Sequence, residues 1–256
     1  MLLTASNALV RVFLSPACAA CDGLLWRPLD SPVCPACWTG IAGVSPPLCA
    51  RCGDPLNDWR AADPRCPRCR RQPPVFSLAR SAGRYEGSLR TIVHAFKYQR
   101  RRVLAAPLGA LMRDAGTDLL TGADAVVPVP LHAYRSFERG FNQADDLSCA
   151  LGLPVWRVLR RTRHGPPQAG LPAARRHGNV RGAFALRWGM RHARLRNAAV
   201  VLVDDVMTTG ATVNACATVL LDAGVRTVGV LTAARAATPR PAAPPSPRRP
   251  WAAQHR

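Results

Sequence analysis

Val200-Val-Leu-Val-Asp-Asp-Val-Met-Thr-Thr-Gly-Ala-Thr212 is the stretch from which the fold can be read. Its four leading residues are β-formers in an unbroken apolar run, the pattern of a parallel strand buried on both faces. Asp204 and Asp205 follow at the carboxyl end of that strand, and Thr208, Thr209 and Gly210 make a short loop. Beyond it, Val213, Ala217, Leu220 and Leu221 recur at helical spacing. Open α/β sheets bind ligands outside the carboxyl ends of their strands. A tight loop entering a helix N-terminus offers backbone N–H groups to a phosphate. Thr208, Thr209 and Thr212 add hydroxyl donors, and Gly210 lets the backbone come close. Two acids beside such a cradle would repel the phosphate unless they face another group. A ribose diol, which donates hydrogen bonds, suits them.

The stretch resembles, at every position, the 13-residue phosphoribosyl-pyrophosphate (PRPP) motif of type I phosphoribosyltransferases. The resemblance implies that Asp204 and Asp205 are the catalytic acids, binding the ribose 2′ and 3′ hydroxyls. It also implies that Met207 (through its backbone), Thr208, Thr209, Gly210, Ala211 and Thr212 hold the 5′-phosphate. Magnesium would accompany PRPP, bridging ribose and pyrophosphate oxygens with few direct protein ligands.

Ten cysteines are present, and eight form four C-x2-C pairs: Cys18/Cys21, Cys34/Cys37, Cys49/Cys52 and Cys66/Cys69. Each pair presents two thiolates on one turn, half of a tetrahedral site. Gly23, Pro35, Gly53 and Pro67 suit those turns. In a cytosolic chain this arithmetic means metal rather than disulfides, with zinc the default and iron the alternative. Two structural zinc ions are expected. Sequential pairing keeps the loops short; interleaved pairing is compatible with the same spacing. Closed four-cysteine sites leave no open coordination position for catalysis. Cys149 and Cys216 stand alone in helical segments and read as buried packing residues.

The formal charge is +20, and 34 of the 35 basic residues are arginine. Two zinc ions on eight thiolates would lower the charge to about +16. Such a balance favours anionic partners, nucleic acid or phosphorylated small molecules. No apolar run approaches the ~18 residues of a membrane span. Leu2, Leu3, Leu9, Val10, Val12 and Phe13 read as an amphipathic lead-in rather than a signal peptide, so a cytoplasmic protein is expected.

The organisation expected is a lead-in at 1–14, two zinc ribbons at 15–70, a linker at 71–75, an α/β domain at 76–235 and a disordered basic tail at 236–256. Within the α/β domain, Phe76 to Tyr85 reads as a strand pair or hairpin around Gly83. Helices are expected over 86–98, 103–112, 137–151 and 211–223. Strands are expected over 124–130, 155–159, 182–187, 198–203 and 226–231, and a long loop over 162–179. The alternation indicates a mostly parallel sheet. Lys97 is the single lysine of the chain. A site needing a compact ammonium would explain it, and a phosphate contact is the role expected; a chance surface lysine is the alternative. His94 reads as a helix-face residue. Arg139, Asn142 and Gln143 suit either the site or support of the strand–helix turn.

Three further segments carry a resemblance to the ComF family: His94-Ala-Phe-Lys-Tyr98; Val127-Pro-Val-Pro-Leu-His132 with Arg139-Gly-Phe-Asn-Gln143; and Gln168-Ala-Gly-Leu171 with Arg176 to Phe184. Arg175 departs from the pattern, standing where the family has an acid. The resemblance implies a type I phosphoribosyltransferase-like parallel sheet with helices on both faces, preceded by a double zinc ribbon. Arg135 and Arg139 become candidates for the pyrophosphate side, because arginine makes bidentate phosphate contacts. The implied function is PRPP binding associated with natural transformation or use of external DNA, as a PRPP-dependent transferase. The alternative is a non-enzymatic accessory that senses PRPP or binds single-stranded DNA and the uptake machinery.

Overall fold

A computed structural model describes residues 2–56, 63–131, 140–162, 182–188 and 192–236. Its helices are α1 (Leu2–Leu14), α2 (Pro35–Thr39), α3 (Pro67–Arg71), α4 (Gly87–Tyr98), α5 (Ala105–Ala115), α6 (Thr117–Leu120), α7 (Gln143–Cys149) and α8 (Ala211–Asp222). Its strands are β1 (Leu78–Arg84), β2 (Ala125–Pro128), β3 (Leu159–Arg161), β4 (Phe184–Leu186), β5 (Ala199–Met207) and β6 (Thr227–Arg235). Four strands form one parallel sheet in the order β1-β6-β5-β2, and β3 pairs antiparallel with β4.

The sheet is covered on both faces, which is why β5 and β6 are apolar along most of their length. On one face Val213, Cys216, Ala217 and Leu220 of α8 pack on Leu202, Val228 and Val230. On the other, Leu89, Ile92 and Phe96 of α4 and Leu108 of α5 pack on Val201, Val203 and Leu231.

The N-terminal module repeats itself. Cys18 N–H donates to Gly23 O and Cys49 N–H to Asp54 O, each at 2.8 Å. Bridges Ala17–Leu24 and Leu48–Pro55 close the two turns. Cys34 and Cys66 each precede a proline at the first position of a short helix, where proline's missing N–H costs nothing. The two ribbons lie on opposite faces of the sheet. Cys18, Leu25 and Val33 join the α4 face, and Cys49, Cys52, Cys66 and Cys69 join the α8 face. Between them they cover β1, the open edge: Ala79 N–H donates to Arg51 O and Arg84 N–H to Ala42 O, each at 2.8 Å. Helix α1 is tied to the first ribbon by Asn7, which accepts from Leu29 N–H at 2.9 Å and donates to Asp30 at 3.2 Å. Its Val12, Phe13 and Leu14 are exposed.

Several elements differ from expectation. The 76–85 segment is one strand, not a hairpin. Gly83 serves close approach instead of a turn, since a Cβ there would lie 2.7 Å from Leu89 and 3.0 Å from Ala42 O. Helix α7 begins at Gln143, because Asn142 caps it in extended conformation. The strand expected at 155–159 is reduced to a single bridge, Val155 to Val126, with β3 starting at Leu159. Strands β5 and β6 run on to Met207 and Arg235, each sustaining the other's ladder. Cys149 is exposed, with its sulfur accepting from Arg157 at 3.4 Å, whereas Cys216 is buried as expected. The 162–179 loop from 163 on and the tail from 237 on lie outside the described residues. Among those residues no helix is long and apolar enough to cross a membrane.

Candidate functional site

Because β5 continues to Met207, the two acids lie within the strand and not past its end. Successive side chains of a strand point to opposite faces. Asp205 follows Val201 and Val203 to the α4 face, where Lys97 Nζ lies 2.9 Å from its Oδ1. Asp204 follows Leu202 to the α8 face. There its carboxylate accepts from the Asp205 N–H at 2.9 Å.

The loop beyond is a concavity of about 300 Å³, open to solvent, lined by Asp204 and by Val206 through Val213. Its shape depends on Gly210, which has φ +80° and would bring a Cβ to within 2.8 Å of Met207 Cε. A side chain at this position would meet both backbone strain and a clash. Thr209 Oγ1 accepts from Ala211 N–H at 3.4 Å, while Thr208 is exposed. The N-cap of α8 is Gly210, which has no side chain, and of the leading amides that of Ala211 is met by the Thr209 hydroxyl. Ala211, Thr212 and Val213 at the start of α8 line the concavity, an arrangement with which a helix N-terminus can receive an anion. Met207 is buried, and its carbonyl accepts from Ala236 N–H at 3.0 Å.

Burial pushes the Asp204 carboxyl up to about 7, with the Asp205 charge adding to the effect; the Asp205 N–H and Lys97 oppose it. Burial alone would depress Lys97, but the charge and hydrogen bond of Asp205 outweigh it and hold the ammonium above the ordinary lysine range. The Tyr85 ring lies 6.0 Å from the same ammonium. Lys97 therefore meets the acid pair through Asp205. The uniqueness of this lysine was a legible signal, though its partner was not. His94 is exposed, its ring centroid 4.7 Å from that of Tyr98 and tilted by 44°. Asn142 accepts from Ala144 N–H and donates to Val129 O, each at 3.2 Å, so it supports the strand–helix turn. Arg135 and Arg139 lie outside the described residues.

The cysteine pairs gather sequentially, Cys18/Cys21/Cys34/Cys37 and Cys49/Cys52/Cys66/Cys69, with the four sulfurs of each group within 4.8 Å of one another. Cys21 and Cys34 sulfurs are 3.9 Å apart and Cys52 and Cys66 sulfurs 3.7 Å. The edge of a tetrahedron with Zn–S near 2.3 Å is about 3.8 Å. Backbone N–H groups of Cys34 and Cys66 donate to the Cys18 and Cys49 sulfurs at 3.2 Å, as thiolate ligands require. Both donor sets fit a structural zinc ion.

A parallel sheet with helices on both faces, whose central strand β5 carries an acid pair and runs into a Thr/Gly loop, defines a phosphoribosyltransferase-like domain. Here it is joined to a double four-cysteine module, and a family model described as double zinc ribbon domain matches residues 9–70. The chain is 34% identical over 234 residues to competence protein F of Haemophilus influenzae, covering 88% of this chain and 99% of that protein. It belongs to the ComF family of competence and DNA-utilization proteins. DNA utilization protein YhgH of Salmonella typhimurium is 36% identical over 199 residues, 72% of this chain and 82% of that protein. Among solved structures, the allosteric regulatory enzyme of purine biosynthesis is similar at 23% identity over 50% of this chain and 26% of that one, with a TM-score of 0.33.

Proposed function

We propose that the protein binds PRPP at the carboxyl end of β5 and acts as a phosphoribosyltransferase-like member of its family in DNA uptake or the use of external DNA. The observation that carries this reading is the left-handed Gly210 between an acid-bearing strand and the helix whose N-cap it forms. In this reading the 5′-phosphate sits on the amides and hydroxyls of Thr208–Thr212, and the acid pair meets the ribose diol. Magnesium would be held on the Asp204 side and would offset the charge of the pyrophosphate. The remaining work belongs to the chain: to orient the sugar, exclude water, and supply cations to the leaving group. Arg135 and Arg139 are proposed for that last role. Transfer would proceed through an oxocarbenium-like transition state, comparable to glycoside cleavage. Two zinc ions would hold the ribbons. The names of the relatives, competence protein and DNA utilization protein, support the cellular context, and a cytoplasmic location is proposed with it.

Calorimetric titration with PRPP, with and without Mg²⁺, tests the binding; absence of heat in both overturns it. Pyrophosphate release against a panel of bases and amines then separates a transferase from a PRPP-sensing accessory. The strongly basic composition favours a second reading, direct contact with single-stranded DNA, which a steep salt dependence of binding would support.

A further inference from the structure

Between Asp146 and Asp204 the chain has no acidic residue and eleven arginines. The fold sets part of this stretch against tryptophan. Trp188, which follows β4, is 87% exposed. The Arg160 guanidinium of β3 lies over its ring at 5.7 Å. Arg160 is itself anchored, its Nε donating to the Leu186 carbonyl at 3.0 Å. A second stack stands nearby, with Arg194 over the Trp156 ring at 4.7 Å. Trp156 and Arg160 are four positions apart, so their backbones lie within about 14 Å of each other. Arg187 is exposed beside the same segment, its N–H donating to the Val158 carbonyl at 2.8 Å. Arg157 is held in an ion pair by Asp145 at 2.6 Å; among the described residues Arg160, Arg187 and Arg194 are in none.

We propose that the surface formed by Trp188, Arg160, Arg187 and Arg194 around the β3/β4 sheet is an interface for single-stranded DNA, with a base stacked on the Trp188 ring and the arginines on backbone phosphates. The proposal rests on the second reading above, direct contact with DNA, gives that contact a place, and is independent of PRPP. Interleaved rings and cations suit an unpaired strand: the rings stack on bases of any sequence while the cations follow the phosphates. Arg160 approaches Trp188 at cation–π range, and the exposure of the ring leaves area for a base. Duplex DNA keeps its bases stacked on one another and offers this surface only its phosphates. A stretch of arginines without acids favours a polyanion over any cationic partner. The place is separate from the candidate PRPP site. Leu195 O accepts from Ala198 N–H at 3.2 Å, which holds the turn after Arg194 at the amino end of β5. The Thr208–Gly210 loop lies at the other end of that nine-residue strand, about 26 Å away at 3.3 Å per residue.

The test measures fluorescence anisotropy of a labelled oligo-dT of about 16 nucleotides, a duplex of the same length, an oligo-rU and poly-glutamate. Each is titrated with the full zinc-loaded chain between about 50 and 200 mM salt. The variants are Trp188→Ala, Trp188→Phe, Arg160→Ala/Arg187→Ala and, as a control of equal charge loss on and just after α4, Arg90→Ala/Arg100→Ala. Wild type should bind oligo-dT more tightly than the duplex. Trp188→Ala should weaken oligo-dT binding about fivefold or more, and Trp188→Phe should restore most of it. Because Trp188 is exposed, its loss should leave the thermal midpoint in place. Arg160→Ala/Arg187→Ala should weaken binding roughly tenfold and lower the slope of log K against log salt by about 1.4, while the control moves binding less than about threefold. Unchanged oligo-dT affinity in Trp188→Ala, or an equal loss in the control pair, overturns the interface. Tighter binding of oligo-rU or poly-glutamate, lost in the same variants, overturns the assignment to DNA and gives the surface to RNA or to an acidic protein. Oligo-dT binding by wild type that withstands all the Trp188 and Arg160 changes leaves the second reading standing and removes only its location, whereas no oligo-dT binding by wild type removes both.

Discussion

Arg235 donates from Nε to Asp54 Oδ1 at 2.9 Å, joining residues 181 positions apart in the chain. It also donates to the Cys52 carbonyl at 3.0 Å. Arg235 closes β6 opposite Met207, the last residue of β5, so this guanidinium links the second cysteine group to the strand end that leads into the Thr208–Gly210 loop. Arg68 shares Asp54 at 3.4 Å. Breaking a buried pair from one side leaves the other charge uncompensated.

Arg235→Ala should therefore destabilise the chain by about 3–5 kcal/mol. It should also speed chelator release of one zinc equivalent and not the other. Urea unfolding and a chelator time course check the two effects separately.

The parts legible in the sequence are those whose cause is local. The period of Val200–Val203, the turn chemistry around Gly210 and the spacing of the cysteine pairs each depend on neighbours a few residues away. Strand ends were not legible, because β5 and β6 extend only as far as each other's ladder allows. Placing the acids at a strand end hid the consequence of the pleat, which sends Asp204 and Asp205 to opposite faces. Gly83 looked like a turn because glycine marks both turns and close approaches, and only the packing of Leu89 and Ala42 distinguishes them. The partners of Lys97 and Arg235 lie more than a hundred residues away, beyond any local pattern.

Gly210→Ala tests the anion loop. The left-handed backbone strains any side chain at 210, and the Met207 Cε methyl, 2.8 Å from a Cβ there, must shift to admit one. A loss of about 1–2 kcal/mol is expected from the backbone alone. PRPP affinity should fall about tenfold or more as the amides turn away. Thermal unfolding and calorimetry on the same preparation separate these effects.

Asp204 predicts a pH dependence. Burial and the Asp205 charge push its carboxyl up to about 7 in the folded chain, against 3.8 ordinarily, so between those values the folded state holds the extra proton. Stability therefore falls as pH rises through this window. Asp204→Asn removes that loss: equal stability at pH 4, and a gain of about 1–2 kcal/mol at pH 8 for this part-solvated group. Since the ionised carboxylate is the better acceptor for a diol, wild-type PRPP binding should strengthen from pH 6 to pH 8. Chemical denaturation at the two extremes and titrations across the window check both signs.

The two cysteine groups should differ in what their loss does. In the first, Cys21 is exposed and Cys34 and Cys37 are only part-buried; in the second, all four cysteines are buried and belong to the same apolar cluster as Leu202 and Val230. The second group also carries the Arg68 and Arg235 guanidinium groups against Cys52. Cys21→Ser should lower bound zinc from two to one per chain while keeping the sheet intact, because its neighbourhood is already solvated. Cys49→Ser should lower zinc by the same amount but expose the α8 face and free Arg235, at a cost of about 3–5 kcal/mol. The ribbon and the anion loop would then fail together. Metal content by atomic absorption, read beside the thermal midpoint, decides this; equal midpoints for the two variants would show that the second group is as peripheral as the first.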